Sequence, residues 1–369
     1  MAGIYIHIPF CKSKCRYCDF TSYPSKLGFA EAYMACLYKE MKLRAAELQD
    51  KQFDTVYFGG GTPSIIDEKL IVGCMNQIKK YYHLSDSAEV TIELNPGTVS
   101  KEKIEAYKRA GINRFSVGLQ VASDALLEEI GRVHTVSDFE ETCKLLGEVN
   151  FSADIMIGLK GETFADVETS IRLVQKYGAK HVSMYALTPE DGTPIYSDYL
   201  NGDLPDADEV AELYGRAYKL LESLGYKRYE VSNFAVPGYE SKHNLNYWRR
   251  GEYIGFGVAA SSFMKNRRFT NTRDLDDYIK CILTDFYPVV DNEEISKEDA
   301  KFEKVMLALR TERGLNMQEY KSEFGSDFAS DFFAALKKNR NYLELEGNFV
   351  RIKADYMYVQ NRIISDFLQ

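Results

Sequence analysis

Three cysteines crowd the start of the chain: Cys11, Cys15 and Cys18, in Ile8-Pro9-Phe10-Cys11-Lys12-Ser13-Lys14-Cys15-Arg16-Tyr17-Cys18-Asp19-Phe20. Thiolates spaced C-x3-C-x2-C on one short loop can bind three irons of a [4Fe–4S] cubane and leave the fourth iron open to a small ligand. An open metal position marks a working centre rather than a structural one. Two other chemistries compete for the same residues. Structural zinc takes four ligands, usually as two separated Cys/His pairs; no second pair follows, and His7, a candidate fourth ligand, lies on an apparent strand two residues before Pro9. A disulfide needs an oxidising compartment, whereas the cysteine loop fills the stretch where a signal peptide would sit, so a cytoplasmic setting is expected. The other cysteines, Cys36, Cys74, Cys143 and Cys281, fall among helical apolar positions and read as small buried hydrophobes. The cluster is the stronger reading.

Further polar or glycine-rich positions gather downstream. Gly59-Gly60-Gly61-Thr62-Pro63 allows a backbone approach that no side chain permits, although three glycines also make an ordinary tight turn. Glu93, in Ile-Glu-Leu-Asn-Pro, sits where Pro96 stops a strand and could meet a cation or a ribose hydroxyl. Gln120 and Asp154 interrupt apolar strand runs, and a polar group facing a core needs a partner or a ligand. Arg132 reads equally well as a surface cation. His243, in His-Asn-Leu-Asn-Tyr247-Trp248, has the chemistry of a haem ligand beside flat apolar surface, or that of a packed, hydrogen-bonded histidine.

The elements that must position these residues alternate. Strands are expected over 3–8, 55–58, 88–94, 113–119, 152–158 and 180–186. Between them helices are expected over 29–48, 66–82, 100–110, 124–131, 137–148 and 163–177, the first from Phe29, Tyr33, Leu37 and Met41 at helical spacing. Alternation of this kind predicts an α/β fold with a parallel sheet, here an incomplete six-stranded barrel. The cysteine loop, the triple glycine, Glu93, Gln120 and Ala186 then fall at or just past C-terminal strand ends, the rim where chemistry collects in such folds. A loop-rich stretch over 187–206, a helix over 207–224 and a strand at Tyr229–Ser232 follow. Beyond 293 come helices over 297–312, 316–324 and 328–338, a hairpin around Gly347 and a last helix from 355, a winged-helix-like arrangement. The expected units are residues 1–186, 187–292 and 293–369.

Bulk properties narrow the classes. A formal net charge of −9 over 369 residues argues against a nucleic-acid partner. No apolar run approaches the roughly 18–20 residues of a membrane span. Aromatic content is 13%, from 26 Tyr, 21 Phe and one Trp, enough for a core and for a flat apolar ligand.

Taken together, HIPFC, the cysteine spacing, GGGTP, ELNP, SVGLQ and DIMIGL resemble the anaerobic coproporphyrinogen III oxidase family of radical S-adenosylmethionine (SAM) proteins, over essentially the whole chain. The resemblance implies a [4Fe–4S] cluster on Cys11, Cys15 and Cys18. It implies SAM contacts at Tyr5, Tyr17, Gly60, Gly61, Thr62, Glu93, Gln120, Arg132, Asp154 and Ala186. Within the family, dehydrogenases carry one more cysteine where this chain has Phe20, and a longer segment before the first strand. HNLNYW, with YEVSNFA before it and YIGFG after it, is similar to the HNxxYW run of a haem-chaperone branch. That branch implies haem as ligand, with His243 as its candidate axial residue, and haem-accepting respiratory proteins as partners. It leaves room for a homodimer and for membrane contact through the partner alone. Radical decarboxylation of coproporphyrinogen III and haem degradation are the competing activities. One departure, Leu159-Lys160-Gly161-Glu162-Thr163 in place of LPGQT, bears on loop geometry beside the site.

Overall fold

The computed structural model describes residues 1–368. Strands β1 (Ala2–Ile8), β2 (Gln52–Gly60), β3 (His83–Leu94), β4 (Arg114–Gln120), β5 (Phe151–Ile157) and β6 (His181–Ala186) pair in chain order, all in parallel. Parallel neighbours need long crossovers, and helices supply them: α1 (Ala30–Arg44), α2 (Glu68–Tyr81), α3 (Lys101–Ala110), α4 (Asp124–Glu129), α5 (Val136–Leu146) and α6 (Phe164–Lys176). Their starts are set by polar caps, as where Thr135 and Asp138 satisfy each other's backbone N–H groups at α5. Tyr33, Leu37 and Met41 of α1 are fully buried against the sheet, whereas Phe29, expected on the same stripe, lies outside the helix and is exposed.

Beyond residue 186 the chain forms α7 (Ile195–Leu200), α8 (Ala207–Ser223), β7 (Lys227–Arg228), β8 (Asn233–Ala235), α9 (Lys242–Trp248), β9 (Glu252–Phe256), β10 (Ser261–Met264), β11 (Arg267–Asn271), α10 (Leu275–Leu283) and β12 (Val289–Glu294). The six parallel strands do not meet each other at their ends. β9 pairs in parallel with β1, β8 pairs antiparallel with β6, and the whole becomes one twelve-stranded sheet. The strand expected at Tyr229–Ser232 is instead the bend between β7 and β8. It is closed by Tyr229 N donating to Asn233 O at 3.1 Å, and Glu230 forms only an isolated bridge to Thr311.

The C-terminal part holds α11 (Lys297–Ala308), β13 (Leu315–Asn316) and helices Met317–Phe324, Phe328–Asp331 and Phe333–Asn339. The hairpin β14 (Leu343–Glu346) and β15 (Phe349–Ile352) turns at Gly347, whose φ of 58° suits glycine. Phe332, at φ −118°, splits what the sequence reads as one helix over 328–338. This part has its own core around Val305, Leu309, Tyr320, Phe328 and Phe367, and Phe263 of β10 packs into it. No helix among the described residues is long and apolar enough to cross a membrane.

Candidate functional site

The cysteine loop leaves β1 through Pro9 and is stitched to the triple glycine. Gly61 N donates to Ile8 O at 2.8 Å and Thr62 N to Phe10 O at 2.7 Å. A Cβ on Gly61 would fall 2.7 Å from Phe10 O and 3.0 Å from Cys11 Sγ, so glycine is required there by packing. Cys11 is buried, Cys15 and Cys18 are half-buried, and all three are free thiols. Burial pushes the Cys11 and Cys18 thiols up from their ordinary value. Thr62 Oγ1 lies 3.5 Å from Cys11 Sγ, and Arg132 Nη1 lies 3.8 Å from Cys15 Sγ. Arg132 is fixed by Asn95 Oδ1 at 2.9 Å and Gly118 O at 3.0 Å, with the Tyr17 hydroxyl at 3.4 Å. It is half-buried on the cavity wall and fully engaged there, not a free surface cation.

These groups open on one cavity of about 510 Å³ that also takes in Gly60, Glu93, Gln120 and Asp154. Glu93 accepts from the Tyr57 hydroxyl at 2.8 Å, and burial, with Asp154 nearby, pushes its carboxyl up to about 7. Burial also raises Asp154, against hydrogen bonds from Ser183 and Ser116. Gln120 has a φ of 71° at a register shift on β4, a conformation that costs a non-glycine residue on the order of 1–3 kcal/mol. The floor carries Thr91, Arg114, Ser116, Ser152, His181 and Ser183, none of which the sequence reading singled out. Thr91 Oγ1 and His181 Nδ1 are buried there without a hydrogen-bond partner. Orphaned polar atoms on a cavity wall are what a polar ligand would satisfy. The signal was available as Ser, Thr, Arg and His within otherwise apolar strands.

The thiols also bear on the choice of metal. Among the described residues no three His, Cys, Asp or Glu side chains gather as the ligands of one ion would. The cysteines of a cubane each bind a different iron and so need not converge. Three cysteines on one cavity, beside a polar wall with unused hydrogen-bonding atoms, fit a cluster with a polar co-ligand.

Two residues expected at SAM stand outside this cavity. Ala186 is not on its wall. Tyr5 shares a strand face with His7, stacks on Tyr57 at 6.3 Å and places its hydroxyl 3.1 Å from His7 Nδ1, facing a second cavity. The departure at 159–163 closes on itself, Glu162 accepting from Gly158 N at 2.7 Å and Leu159 N at 3.2 Å.

His243 lines neither cavity. Glu89 receives the N–H groups of Lys242 and His243 at 3.1 and 3.0 Å, a carboxylate at the helix start that seats α9 against β3. The ring is 1% exposed, with Nδ1 2.8 Å from Thr55 Oγ1 and Nε2 2.8 Å from the Tyr247 hydroxyl. Burial pushes its pKa down to about 3 and keeps it neutral. Both nitrogens are engaged, the arrangement of a packed, hydrogen-bonded histidine. Tyr247, by contrast, faces the second cavity, of about 660 Å³, with Tyr5, Tyr253, Phe263 and Met306. Asp19 and Phe20 line both cavities, which therefore meet at the end of the cysteine loop.

Comparison with known proteins agrees with this layout. Residues 5–174 match the radical SAM superfamily and residues 295–354 the HemN C-terminal domain. A Bacillus subtilis protein named heme chaperone HemW is 36% identical over 343 residues, 91% of this chain and 90% of that protein. The Haemophilus influenzae protein of the same name is 30% identical over 366 residues, 96% of this chain and 92% of its own length. The solved structure of Escherichia coli coproporphyrinogen III oxidase (HemN), described as a radical SAM enzyme, superposes with a TM-score of 0.88 at 18% identity, covering 100% of this chain and 90% of that one; it establishes a shared fold. With sequence identity sustained over nine-tenths of both partners in the Bacillus alignment, this chain belongs to the HemW family of radical SAM proteins.

Proposed function

We propose that this protein binds haem and passes it to haem-accepting respiratory proteins in the cytoplasm; its relatives bear the name heme chaperone HemW. The observation that carries the reading is the second cavity, walled by aromatic rings and joined to the cysteine cavity at Phe20. Flat apolar walls suit a macrocycle. In this reading Cys11, Cys15 and Cys18 hold a [4Fe–4S] cluster. Tyr17, Gly60, Gly61, Thr62, Glu93, Gln120, Arg132 and Asp154 receive SAM, with Tyr5 acting through Tyr57 and Ala186 only bordering the site. A cluster of this kind supplies an open iron and a low-potential electron.

The protein's own residues do the rest. The glycine backbone admits the amino-acid end of SAM close to the cysteine loop. Glu93, once ionised, meets its positive charge or a ribose hydroxyl. Arg132 offsets negative charge at the thiolates. Any membrane contact is made through the recipient, and a homodimer is compatible with the reading. The preserved SAM cavity favours one rival, radical decarboxylation of coproporphyrinogen III. The test is transfer: cluster-loaded, haem-loaded protein is mixed with a haem-free respiratory acceptor. Haem should move intact to the acceptor and restore its activity. Retention of haem by this protein in the presence of acceptor would reject the reading.

A further inference from the structure

The second cavity has features that aromatic packing leaves unexplained. Three arginines, Arg250, Arg268 and Arg273, line it in a chain whose net charge is −9. Two are held in place: Glu303 takes Arg250 Nε at 2.8 Å and Arg268 Nη2 at 2.7 Å, and Arg250 Nη2 donates to Asn266 Oδ1 at 2.8 Å. Arg250 keeps this position at a φ of 58°, in the left-handed region, and its guanidinium lies 4.6 Å from the Phe263 ring centroid. Glu323 stands 3.9 Å from Arg250 Nη1 and Glu293 3.9 Å from Arg268 Nη1, so this pair is neutralised and held in place by the protein's own carboxylates. Arg273, between β11 and α10, has a carbonyl that accepts from the Tyr23 hydroxyl, while its side chain makes no ion pair or hydrogen bond among the described residues.

The apolar side is equally unspent. Phe20 is 69% exposed, with no core to explain it. Tyr247 and Tyr253 meet edge to face at 4.6 Å, and Met306 and Leu307 of α11 also line the cavity. The volume, about 660 Å³, lies within the roughly 300–1,000 Å³ of sites that enclose a cofactor-sized ligand.

We propose that this cavity seats a tetrapyrrole, its macrocycle between Phe20 and the Tyr247–Tyr253 wall and a propionate on Arg273, the lining arginine whose side chain has no partner among the described residues. Guanidinium and carboxylate match as paired hydrogen-bonding forks, which suits arginine at 273 to a propionate, as Arg250 and Arg268 already suit Glu303. The assignment gives the proposed haem chaperone its binding site and rests on that reading. It moves haem recognition from His243 to its motif neighbour Tyr247 and to Arg273, which no motif marks.

The test is an anaerobic titration of the full, cluster-loaded protein with haem, haem dimethyl ester and coproporphyrin III, read by the Soret band. R273A should bind haem about tenfold more weakly, the loss expected for one charge-assisted contact. It should bind the dimethyl ester, which lacks the carboxylates, as the unaltered protein does. R267A, whose guanidinium points to Asn292 outside the cavity, should change neither. Equal haem affinity in R273A, or an equal loss for haem and ester, overturns the seat. If the unaltered protein takes up no haem, the chaperone reading fails, and coproporphyrin III then decides the seat separately. Arg273-dependent binding of that porphyrin sustains it, and no such binding overturns it.

Discussion

The Tyr247 hydroxyl lies 2.8 Å from His243 Nε2, four residues earlier on one face of α9. Thr55 of β2 closes the other ring nitrogen, so His243 is a strut between the sheet and an aromatic wall. The same motif uses Asn246 to brace the following turn. Its Nδ2 donates to Glu252 O at 2.9 Å, and Gly251 is glycine because a Cβ would fall 2.0 Å from Asn246 Oδ1. The HNLNYW run thus shapes a surface, with Tyr247 its member on the cavity.

Replacing His243 by Ala should therefore cost stability before it costs spectroscopy. The buried Thr55 hydroxyl and the half-buried Tyr247 hydroxyl lose their partner, an expected loss of about 1–3 kcal/mol by denaturant unfolding. The Soret position of bound haem should stay where it is in the unaltered protein. A Soret shift typical of a lost axial nitrogen, at unchanged stability, would restore His243 as a ligand.

Glycine at 61 carries the join between the cysteine loop and β2. G61A drives a methyl against Phe10 O and Cys11 Sγ. Overpacking at such a contact costs about 1–3 kcal/mol. Iron retained after reconstitution should fall together with the thermal midpoint. Full iron content at an unchanged midpoint would contradict the required approach.

Glu93 predicts a pH dependence with a definite sign. Its carboxyl rises from 4.5 to about 7 on burial. The stability tied to its protonated form is present below 4.5 and is lost as pH rises through about 7, up to about 3 kcal/mol for the ligand-free protein. SAM binding should show the opposite slope, strengthening as pH rises through the same range, because the carboxylate is the form that meets a cation. E93Q should flatten both profiles. Isothermal titration and unfolding between pH 5 and 8 check this, and an unflattened SAM profile in E93Q would remove Glu93 from the site.

Cys15→Ala should abolish the broad visible absorbance of the reconstituted cluster and lower bound iron. Unchanged iron in that variant would return the three cysteines to another chemistry. Zinc retained in place of iron by the unaltered protein would do the same.

Much of this organisation was legible in the sequence because it is local. The six strands and their crossover helices follow from periodicity and caps, and the cysteine loop, triple glycine and Glu93 fall at strand ends that Pro9, Pro63 and Pro96 help to terminate. β3 begins at His83 rather than at 88 because its polar, exposed start reads as loop until Gln52 and Phe53 pair with it. What escaped is non-local. His243 is satisfied by Thr55, 188 residues away, and Arg250 and Arg268 meet at Glu303 only after the C-terminal helices dock. Tyr5 was expected at SAM, but it points with His7 into the second cavity while Tyr57 takes the place beside Glu93. Spacing along the chain shows which residues share a face, not what that face meets.

The central claim, that this radical SAM framework carries haem, is tested most directly by one anaerobic incubation of the cluster-loaded protein. It would contain SAM, a low-potential reductant and either haem or coproporphyrinogen III, followed by Soret titration and mass analysis of the tetrapyrrole. The account predicts saturable, stoichiometric haem binding with the macrocycle recovered unchanged, and no loss of propionate carboxyls from coproporphyrinogen III. Decarboxylated product with no haem retained, or haem recovered with an opened ring, would contradict it.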